Sequence, residues 1–243
     1  MEIKEYELLD QVESSHWFYK GKRQIVRHWI KKKLNLRPEN ILIDVGCGTG
    51  SFLFEWNGSK SFGVDSSHEA LKFSRNKIGE KLIQGNLPSL PIKRNSISIV
   101  VALDVLEHCE DDAGSLKELF NILCPGGILI ATVPALPCLW SDWDITLHHY
   151  RRYTKKSLID IVPTDITIKR CTYINEVGLI PIFIIRTLRK YRLFSAGKKR
   201  AEDIMLPPFI NNILHNCFVW LSCRTRYKPP LGLSLLLILS KGS

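Results

Sequence analysis

From residue 40 onward, short apolar runs alternate with amphipathic stretches along the chain. Apolar runs of this kind are typical of strands buried on both faces of a parallel sheet, and the amphipathic stretches of helices that cover it. The pattern predicts seven strands, at about residues 41–45, 61–65, 81–85, 97–103, 127–133, 166–174 and 233–240. We therefore expect an α/β fold with a doubly wound, mostly parallel sheet.

Two of the predicted helices have recognisable ends. Residues 66–69, Ser-Ser-His-Glu, have the spacing of a capping box, which predicts a helix start directly after the second strand. Residues 112–123 place leucines and a phenylalanine on one helical face. The Pro-Gly-Gly sequence at residues 125–127 predicts the end of that helix and the turn into the fifth strand.

Residues 1–243 are predicted to form a single domain with two helical additions. We expect an N-terminal helical cover over residues 1–39 and a helical, basic insert over residues 176–230. The insert contains two apolar helical patterns, at about residues 176–193 and 208–223. Its apolar runs are far shorter than the roughly 20 residues needed to cross a bilayer, so no transmembrane helix is predicted.

The net charge of +10 is distributed unevenly. Residues 1–143 contain 17 Lys and Arg against 18 Asp and Glu, whereas residues 144–243 contain 17 against 6. The insert contributes a dense basic group, namely Arg186, Arg189, Lys190, Arg192, Lys198, Lys199 and Arg200. A solvated helix face would explain it, as would attraction to lipid headgroups or a phosphorylated substrate. Nucleic acid is disfavoured, because basic and aromatic residues are not interleaved there.

Seven cysteines are scattered without a CxxC pair, which fits reduced thiols better than a disulfide framework or a zinc site. We therefore predict no metal. The first ten residues are polar and acidic and lack the features of a secretory leader. These features predict a cytoplasmic protein, with peripheral membrane contact through the insert as a further hypothesis.

A glycine-rich turn follows the first predicted strand, with the sequence Asp-Val-Gly-Cys-Gly-Thr-Gly at residues 44–50. Glycine allows the backbone to turn sharply and to approach a ligand closely, and the helix that follows offers free N–H groups. A nucleotide-like ligand is expected at the carboxyl ends of the strands. A tight strand-to-helix turn without a ligand is the simpler interpretation.

The spacing of the glycines discriminates between nucleotides. A dinucleotide fingerprint requires glycine at the first, third and sixth positions, but the sixth position counted from Gly46 is Ser51. A nicotinamide oxidoreductase is therefore disfavoured, and the absence of Gly-Lys-Ser/Thr excludes a Walker-type phosphate loop. Asp65 ends the second strand, where its carboxylate could bind both ribose hydroxyls or stabilise the start of the next helix.

Several segments in this order resemble the class I S-adenosylmethionine-dependent methyltransferases, specifically the group called methyltransferase type 11. Residues 44–50 resemble the family's first motif, and residues 104–108, Asp-Val-Leu-Glu-His, resemble the segment after its fourth strand. Residues 140–153 resemble a signature of bacterial and archaeal members, as does Pro-Leu-Gly-Leu-Ser at residues 230–234. In that signature this chain has His148 where relatives usually have glycine.

The resemblance implies a Rossmann-like doubly wound, mostly parallel seven-stranded sheet with an antiparallel last strand and a helical insert before it. It also implies S-adenosyl-L-methionine as cofactor. The cofactor-binding residues that it implies are Asp44, Gly46, Cys47, Gly48, Gly50, Asp65, Ser66, Asn86, Leu87, Asp104 and Val105. Asn86 stands where members usually have aspartate; its amide oxygen can still accept a hydrogen bond from the adenine amino group.

Two histidines are candidates for catalysis. His149 and His108 lie in segments expected at the carboxyl-end face of the sheet, where either could act as a base or contact the substrate. Structural hydrogen bonding for His149 and helix capping for His108 are the competing interpretations. The candidate substrate contacts are Trp17, Arg151, Arg152 and Tyr153. The arginines could bind a phosphate or carboxylate, or pair with carboxylates such as Asp144 and fix the loop; Trp17 could instead pack on the sheet.

The resulting hypothesis is an enzyme that transfers a methyl group from S-adenosyl-L-methionine to a small-molecule or lipid- or glycan-linked acceptor. The alternative is a non-catalytic cofactor-binding module that docks on a membrane or partner through its basic insert. Pro137-Cys138 resembles the Pro-Cys pair of cytosine methylases but follows the fifth strand rather than the fourth. Nucleic acid is therefore not the expected acceptor.

Overall fold

A computed structural model of the chain describes residues 7, 10–33, 36–56, 60–190 and 206–242, with side chains as far as Ile184 in the helix that ends at Lys190. One seven-stranded sheet organises these residues, in the order β3-β2-β1-β4-β5-β7-β6. The strands are β1 Leu42–Val45, β2 Ser61–Asp65, β3 Leu82–Gln84, β4 Ile97–Leu103, β5 Leu123–Pro134, β6 Thr167–Ile174 and β7 Ser234–Ser240.

The strands are parallel except for β7, which runs antiparallel to both β5 and β6. The predicted fold class, including the antiparallel last strand, is confirmed. Alternation along the strands divides the core: Ile43 and Val100 pack on one face of the sheet, whereas Leu42 and Ile99 pack on the other. Continuous apolar strands are what a sheet covered on both faces requires.

The start of the fifth strand differs from the prediction. β5 begins at Leu123, which pairs with Ile97, and the register then shifts so that Ile128 pairs with Ile99. The predicted Pro-Gly-Gly turn therefore lies inside the strand, as an irregularity in which Gly126 has a φ of +77°. A bulge of this kind is not visible in the hydrophobic pattern, because the apolar run itself resumes only at Ile128.

Eight helices are present in the described residues. They are α1 Trp17–Lys33, α2 Ser51–Trp56, α3 His68–Ile78, α4 Asp112–Asn121, α5 Asp142–Thr146, α6 Lys155–Asp160, α7 Leu179–Lys190 and α8 Pro208–Ser222. The capping residue of α3 is Ser67, whose hydroxyl accepts the N–H of Ala70. The helix after the second strand is thus confirmed, with a cap one residue later than the first serine of the predicted box.

Helix α1 lies against the sheet face formed by Leu42 and Ile99, and α8 packs on α1. The Trp29 indole N–H donates to the Ser222 carbonyl (3.1 Å), and the ring of Phe218 lies where a side chain at Gly21 would project, 2.7 Å from an ideal Cβ. The second insert helix therefore docks on the N-terminal helix, and glycine at position 21 permits the close approach.

The described residues include only part of the basic group of the insert. Its members outside them are Arg192, Lys198, Lys199 and Arg200. Of the other three, Arg186, Arg189 and Lys190, the structure describes the backbone but not the side chains. In the parts of the chain that the structure describes, no helix combines the length and apolarity required for crossing a membrane. The boundaries 1–39 and 176–230 remain predictions.

Candidate active site

The glycine turn between β1 and α2 forms the floor of the site. The N–H groups of Gly46 and Cys47 both donate to the Val64 carbonyl (2.7 and 3.0 Å), which fixes the turn to β2. At Gly46, which has a φ of +72°, a Cβ would lie 2.5 Å from a methyl group of Val105. At Gly48, with a φ of +53°, a Cβ would meet no heavy atom within 4 Å. Open space above a left-handed glycine is what a closely approaching ligand requires.

That open space belongs to a cavity of about 710 Å³ at the carboxyl ends of the strands. Twelve of the seventeen predicted site residues line it, namely Asp44, Gly46, Cys47, Gly48, Asp65, Ser66, Asp104, Val105, His108, Trp17, His149 and Arg152. A cavity of this size holds a nucleoside and part of a second ligand. Residues far apart in sequence thus converge where the fold predicts a ligand.

The remaining five predicted residues do not line this cavity: Gly50, Asn86, Leu87, Arg151 and Tyr153. Gly50 faces α3, because a Cβ there would lie 3.0 Å from the Ser74 hydroxyl. Asn86 pairs with Ser89 in an isolated bridge, and Leu87 packs against the core. Both stay close to the site, because the preceding Gly85 N–H donates to the Asp65 carbonyl (3.1 Å).

The Asp65 carboxylate joins the glycine turn to the start of α3. Its two oxygens accept the N–H groups of Gly48 and Ser67, each at 2.9 Å. Burial raises the pKa of Asp65, and the backbone donors partly offset that shift. Each carboxylate oxygen can accept more than one hydrogen bond, so a ribose can still bind there. The structural role of Asp65 is shown, and its ribose contact remains a prediction.

Burial also affects the carboxyl group below the turn. Asp44 is 3% exposed, and burial, followed by the neighbouring Asp65 and Glu13, raises its pKa well above its usual range. The Cys47 thiol has a raised pKa for the same first reason, so it is an unreactive, neutral group. These two groups shape the floor of the site, and a thiolate nucleophile is not available at Cys47.

Asp104 is held by a residue of α1 that the sequence patterns did not single out as a site residue. Its φ of +55° turns the chain sharply after β4, and its carboxylate pairs with the buried ammonium of Lys22 and accepts the Thr132 hydroxyl (2.9 Å). Burial alone would raise the pKa of Asp104, but Lys22 outweighs it and the pKa is lowered. Asp104 is therefore an ionised carboxylate at the cavity wall.

Three polar side chains cluster beside Asp104. Glu107 and His108 lie in a 3₁₀ turn at Leu106–His108, and the ring of His149 meets that of His108 edge-on with centroids 4.7 Å apart. The imidazole of His108 borders the cavity. Its partial burial among protein atoms removes water from the charged form, and this effect, followed by the neighbouring His149, lowers its pKa to about 4. The two predicted catalytic histidines are thus brought together, and Glu107 joins them.

Comparison with known proteins identifies the fold's family. Residues 43–131, from β1 into β5, match the family model described as a methyltransferase domain. They contain the glycine turn, Asp65 and the segment at residues 104–108. The chain contains a class I S-adenosylmethionine-dependent methyltransferase domain. The predicted resemblance to this family is confirmed, and the matches support an enzyme that uses S-adenosyl-L-methionine.

Individual relatives of the methyltransferase domain are distant. The demethylmenaquinone methyltransferase of Lactococcus lactis is 30% identical over 109 residues, which cover 40% of this chain and 43% of that protein. An uncharacterised protein of Methanocaldococcus jannaschii is 33% identical over 137 residues, covering 55% and 52%. The chain thus spans about half the length of these relatives. A solved methyltransferase structure from Thermotoga maritima shares the fold, with a TM-score of 0.61, 17% identity and coverage of 98% and 96%.

The segment at residues 140–153 folds around Asp144, whose side chain is 1% exposed. Its carboxylate accepts the N–H of Ser141 (2.9 Å), pairs with Arg152 (2.6 Å) and bonds to Nδ1 of His149 (3.1 Å). Of the two interpretations of Arg152, pairing with Asp144 is the one the structure shows. His148 has a φ of +56°, a left-handed backbone conformation that favours glycine.

Tyr153 and Arg151 both have structural partners on the neighbouring segment at residues 110–112. The Tyr153 ring is 2% exposed, its hydroxyl donates to Asp112 (2.7 Å), and its pKa is raised, first by burial and then by that carboxylate. Arg151 pairs with the same Asp112 (3.0 Å) and donates to the Glu110 carbonyl (2.7 Å). The geometry therefore does not favour the predicted substrate contacts of these two residues.

Replacing Tyr153 by phenylalanine tests this structural assignment. Loss of the hydroxyl leaves a buried Asp112 oxygen without that donor, so we expect the free energy of unfolding to fall by about 1–3 kcal/mol. The affinity for S-adenosylmethionine should stay within about twofold, because the ring does not line the cavity. Urea unfolding and calorimetry measure the two quantities. Unchanged stability with a large loss of affinity would instead assign Tyr153 to the ligand site.

Proposed function

We propose that this chain transfers a methyl group from S-adenosylmethionine to a partly apolar acceptor, either a small molecule or a lipid-linked one. The observation that carries the proposal is a single cavity bordered by three kinds of surface. The glycine turn and Asp65 form one, Glu107 and the two histidines form the second, and apolar side chains of the insert form the third. A cofactor, a reacting group and an apolar tail can therefore meet in one place.

The residues of the glycine turn fit the cofactor. Gly48 leaves space for the nucleoside, Asp65 retains acceptor capacity for the ribose, and the ionised Asp104 offers a carboxylate to a cationic ligand. When bound, S-adenosylmethionine supplies an electrophilic methyl group on a sulfonium, whose sulfur keeps the bonding electron pair as the methyl leaves. The protein's contribution is to align the acceptor with that methyl group and to exclude water.

The insert supplies the apolar surface for the acceptor. The apolar side chains of the insert that line the cavity are Val177, Pro181, Ile182, Leu206 and Leu214, and Leu233 lines it just before β7. Removing apolar surface from water contributes about 25 cal/mol per Å², so an acceptor with a hydrocarbon portion is favoured. The Lactococcus relative is named for demethylmenaquinone, an acceptor of this apolar kind. Trp17, on the same cavity wall, is the aromatic contact that we expect for the acceptor's ring or tail.

The reacting atom of the acceptor is placed at the histidine cluster. His149 and His108 both border the cavity, and Glu107 lies beside them, so this cluster offers polar groups that can contact the acceptor's hydroxyl or amine. Arg152 reaches the same cavity but is held by Asp144 and the Ala135 carbonyl (3.1 Å). We therefore expect Arg152 to position His149 through Asp144 and the two histidines to contact the acceptor.

Two measurements test this function in order. Calorimetry with S-adenosylmethionine and S-adenosylhomocysteine should show binding of one ligand per chain; no heat at millimolar ligand would refute the cofactor assignment. Cells supplied with a heavy-methyl donor, with and without the gene for this chain, should then differ in a labelled lipid or metabolite. Cofactor binding with no labelled product from any lipid or metabolite fraction would favour the non-catalytic binding module.

The exposed sides of the insert helices suggest where a lipid-linked acceptor is reached. On α7, Ile180, Phe183 and Ile184 are 70, 54 and 50% exposed, and on α8, Phe209 and Trp220 are 66 and 57% exposed. In each helix the spacing of these residues places them on one face. The basic group of the insert, which begins within α7 at Arg186 and continues beyond it in sequence, adds attraction to anionic headgroups. The proposed docking partner is therefore an anionic membrane surface.

Vesicle sedimentation checks the docking surface. The protein should sediment with vesicles rich in phosphatidylglycerol at low salt and stay in solution with phosphatidylcholine alone. Ile180→Ser combined with Phe183→Ser should weaken binding at least about tenfold, because each inserted apolar side chain contributes on the order of 1.5 kcal/mol or more. Phe54→Ser is the matched control, since Phe54 is 62% exposed but lies on α2. Equal effects of the two variants would contradict the assignment.

A further inference from the structure

Glu107 is a buried acid whose carboxylate has no hydrogen-bond partner in the described part of the chain. The residue is 0% exposed, both side-chain oxygens lack a partner, and it borders the cavity. Burial, and then the neighbouring Asp104, raises its pKa well above the usual range. Buried carboxylates are normally paired or bound to a metal, so an unpartnered one facing a cavity indicates a missing ligand.

The nearest cations of the protein are already engaged elsewhere. Lys22 pairs with Asp104, and Arg152 pairs with Asp144. Two imidazoles also lie near Glu107: one ligand atom each from Glu107, His108 and His149 lies within 4.8 Å of the others. Small side-chain adjustments bring three atoms at such separations around one ion, whose bonds to nitrogen and oxygen are about 2.0–2.2 Å long.

The surroundings of His149 orient it for metal binding. Nδ1 of His149 faces Oδ1 of Asp144 at 3.1 Å, and a carboxylate accepts, so Nδ1 carries the proton and Nε2 keeps its lone pair. The Arg152 guanidinium and the Ser141 N–H hold Asp144 in turn. A carboxylate that fixes the ring of a ligating histidine is the usual second layer of a metal site.

We propose that Glu107, His108 and His149 bind a divalent transition-metal cation of the Mn²⁺ to Zn²⁺ series. Two imidazole nitrogens and one carboxylate oxygen form a donor set that suits these ions, and three protein ligands leave coordination positions open. The ion would give the buried Glu107 carboxylate its missing partner. The prediction of no metal depended on the cysteine pattern alone and did not consider these three residues.

The open positions would face the cavity. Taken together with the proposed function, this arrangement narrows the acceptor class to molecules that present a hydroxyl oxygen to the ion. A metal-bound hydroxyl has a lowered pKa, so it releases its proton to water more easily. Its oxygen then forms the new bond to the methyl carbon while the carbon–sulfur bond breaks and sulfur retains the electron pair. An oxygen-linked methyl product is therefore expected.

Cobalt titration tests the site without cofactor or acceptor. The full chain, stripped with a chelator, should bind one Co²⁺ with visible d–d absorption, and the ion should raise the melting temperature. Glu107→Gln and His149→Gln should each weaken binding at least about tenfold, as loss of a metal ligand does. Bound Mn²⁺ should retain exchangeable water in its open positions, which water-proton relaxation detects. These readouts do not depend on methyl transfer, so failure of one proposal leaves the other testable.

Two control variants separate this site from other metal-binding groups. His148→Gly removes the adjacent imidazole without strain at a left-handed position, and Cys138→Ser/Cys217→Ser removes two exposed thiols. Both should bind Co²⁺ as the unchanged protein does. Absence of Co²⁺ binding would overturn the proposal, as would affinity that persists in both ligand variants or disappears in the thiol variant.

Discussion

A valine in place of Gly48 is expected to lower the affinity for S-adenosylmethionine at least about 100-fold, equivalent to about 2.8 kcal/mol, while the protein stays folded. A Cβ at this position meets no protein atom within 4 Å and projects into the cavity, so the side chain would occupy ligand space instead of disturbing the core. The φ of +53° adds local strain of about 1–2 kcal/mol. Calorimetry with S-adenosylmethionine and circular dichroism measure both effects.

Gly79→Val is the matched control for that experiment. Gly79 also has a positive φ, +70°, and open space around an ideal Cβ, but it ends α3 outside the cavity lining. The same backbone strain should lower its stability without changing cofactor affinity. If both variants lost affinity equally, strain and not occlusion of the cavity would explain the result. Retained affinity in Gly48→Val would contradict the placement of the cofactor.

Replacing Asp144 by alanine is expected to lower the free energy of unfolding by about 3–5 kcal/mol. The carboxylate is 1% exposed and is bonded to Ser141, His149 and Arg152. Its removal leaves the guanidinium of Arg152, 8% exposed, buried without this counter-charge. Urea unfolding measures the loss. We also expect a lower rate of methyl transfer, because His149 loses the bond that orients its ring.

Asp142→Ala controls for the loss of an acidic residue from the same short helix α5. Asp142 is exposed and lies in the first turn, so its charge contributes only through the helix dipole, about 0.3–1 kcal/mol. A difference of several kcal/mol between the two variants is the expected result. Equal, small losses would show that Asp144 is not the residue that holds the loop.

Local patterns predicted the fold because each strand is defined by its own residues. A parallel sheet covered on both faces requires continuous apolar runs, and these runs placed β1, β2 and β4 within a residue or two of their observed limits. The glycine turn could also be predicted from its own residues. Between β1 and α2 the backbone adopts positive φ at Gly46, Gly48 and Gly50, a conformation that glycine adopts most easily.

The pairing of charges could not be predicted in this way. Lys22 and Asp104 are separated by 82 positions, and although Asp104 was predicted to bind the cofactor, nothing in its segment indicated Lys22 as its partner. Tyr153 lies in a segment with several polar residues and was predicted to contact the substrate, yet its hydroxyl donates to Asp112, 41 positions earlier. Such contacts depend on which loops the topology brings to the same edge of the sheet, information that no window of sequence contains.

Glu107 is an intermediate case. The sequence shows an acidic residue directly after the apolar Leu106. Knowledge that this acid is buried would have made it a candidate site residue. Its burial, however, depends on the loop that carries His149, which closes over the turn through the Tyr150 N–H donating to the Glu107 carbonyl (2.8 Å). Only the folded chain shows that the acid has no partner.

A crystal structure of the protein with S-adenosylhomocysteine would show whether the cofactor lies in this cavity. We expect the nucleoside above Gly46 and Gly48, the ribose hydroxyls at Asp65, and the sulfur in the part of the cavity that Glu107, His108 and His149 border. A nucleoside bound at another surface, or a cavity filled by the protein's own side chains while the ligand is bound elsewhere, would contradict this placement.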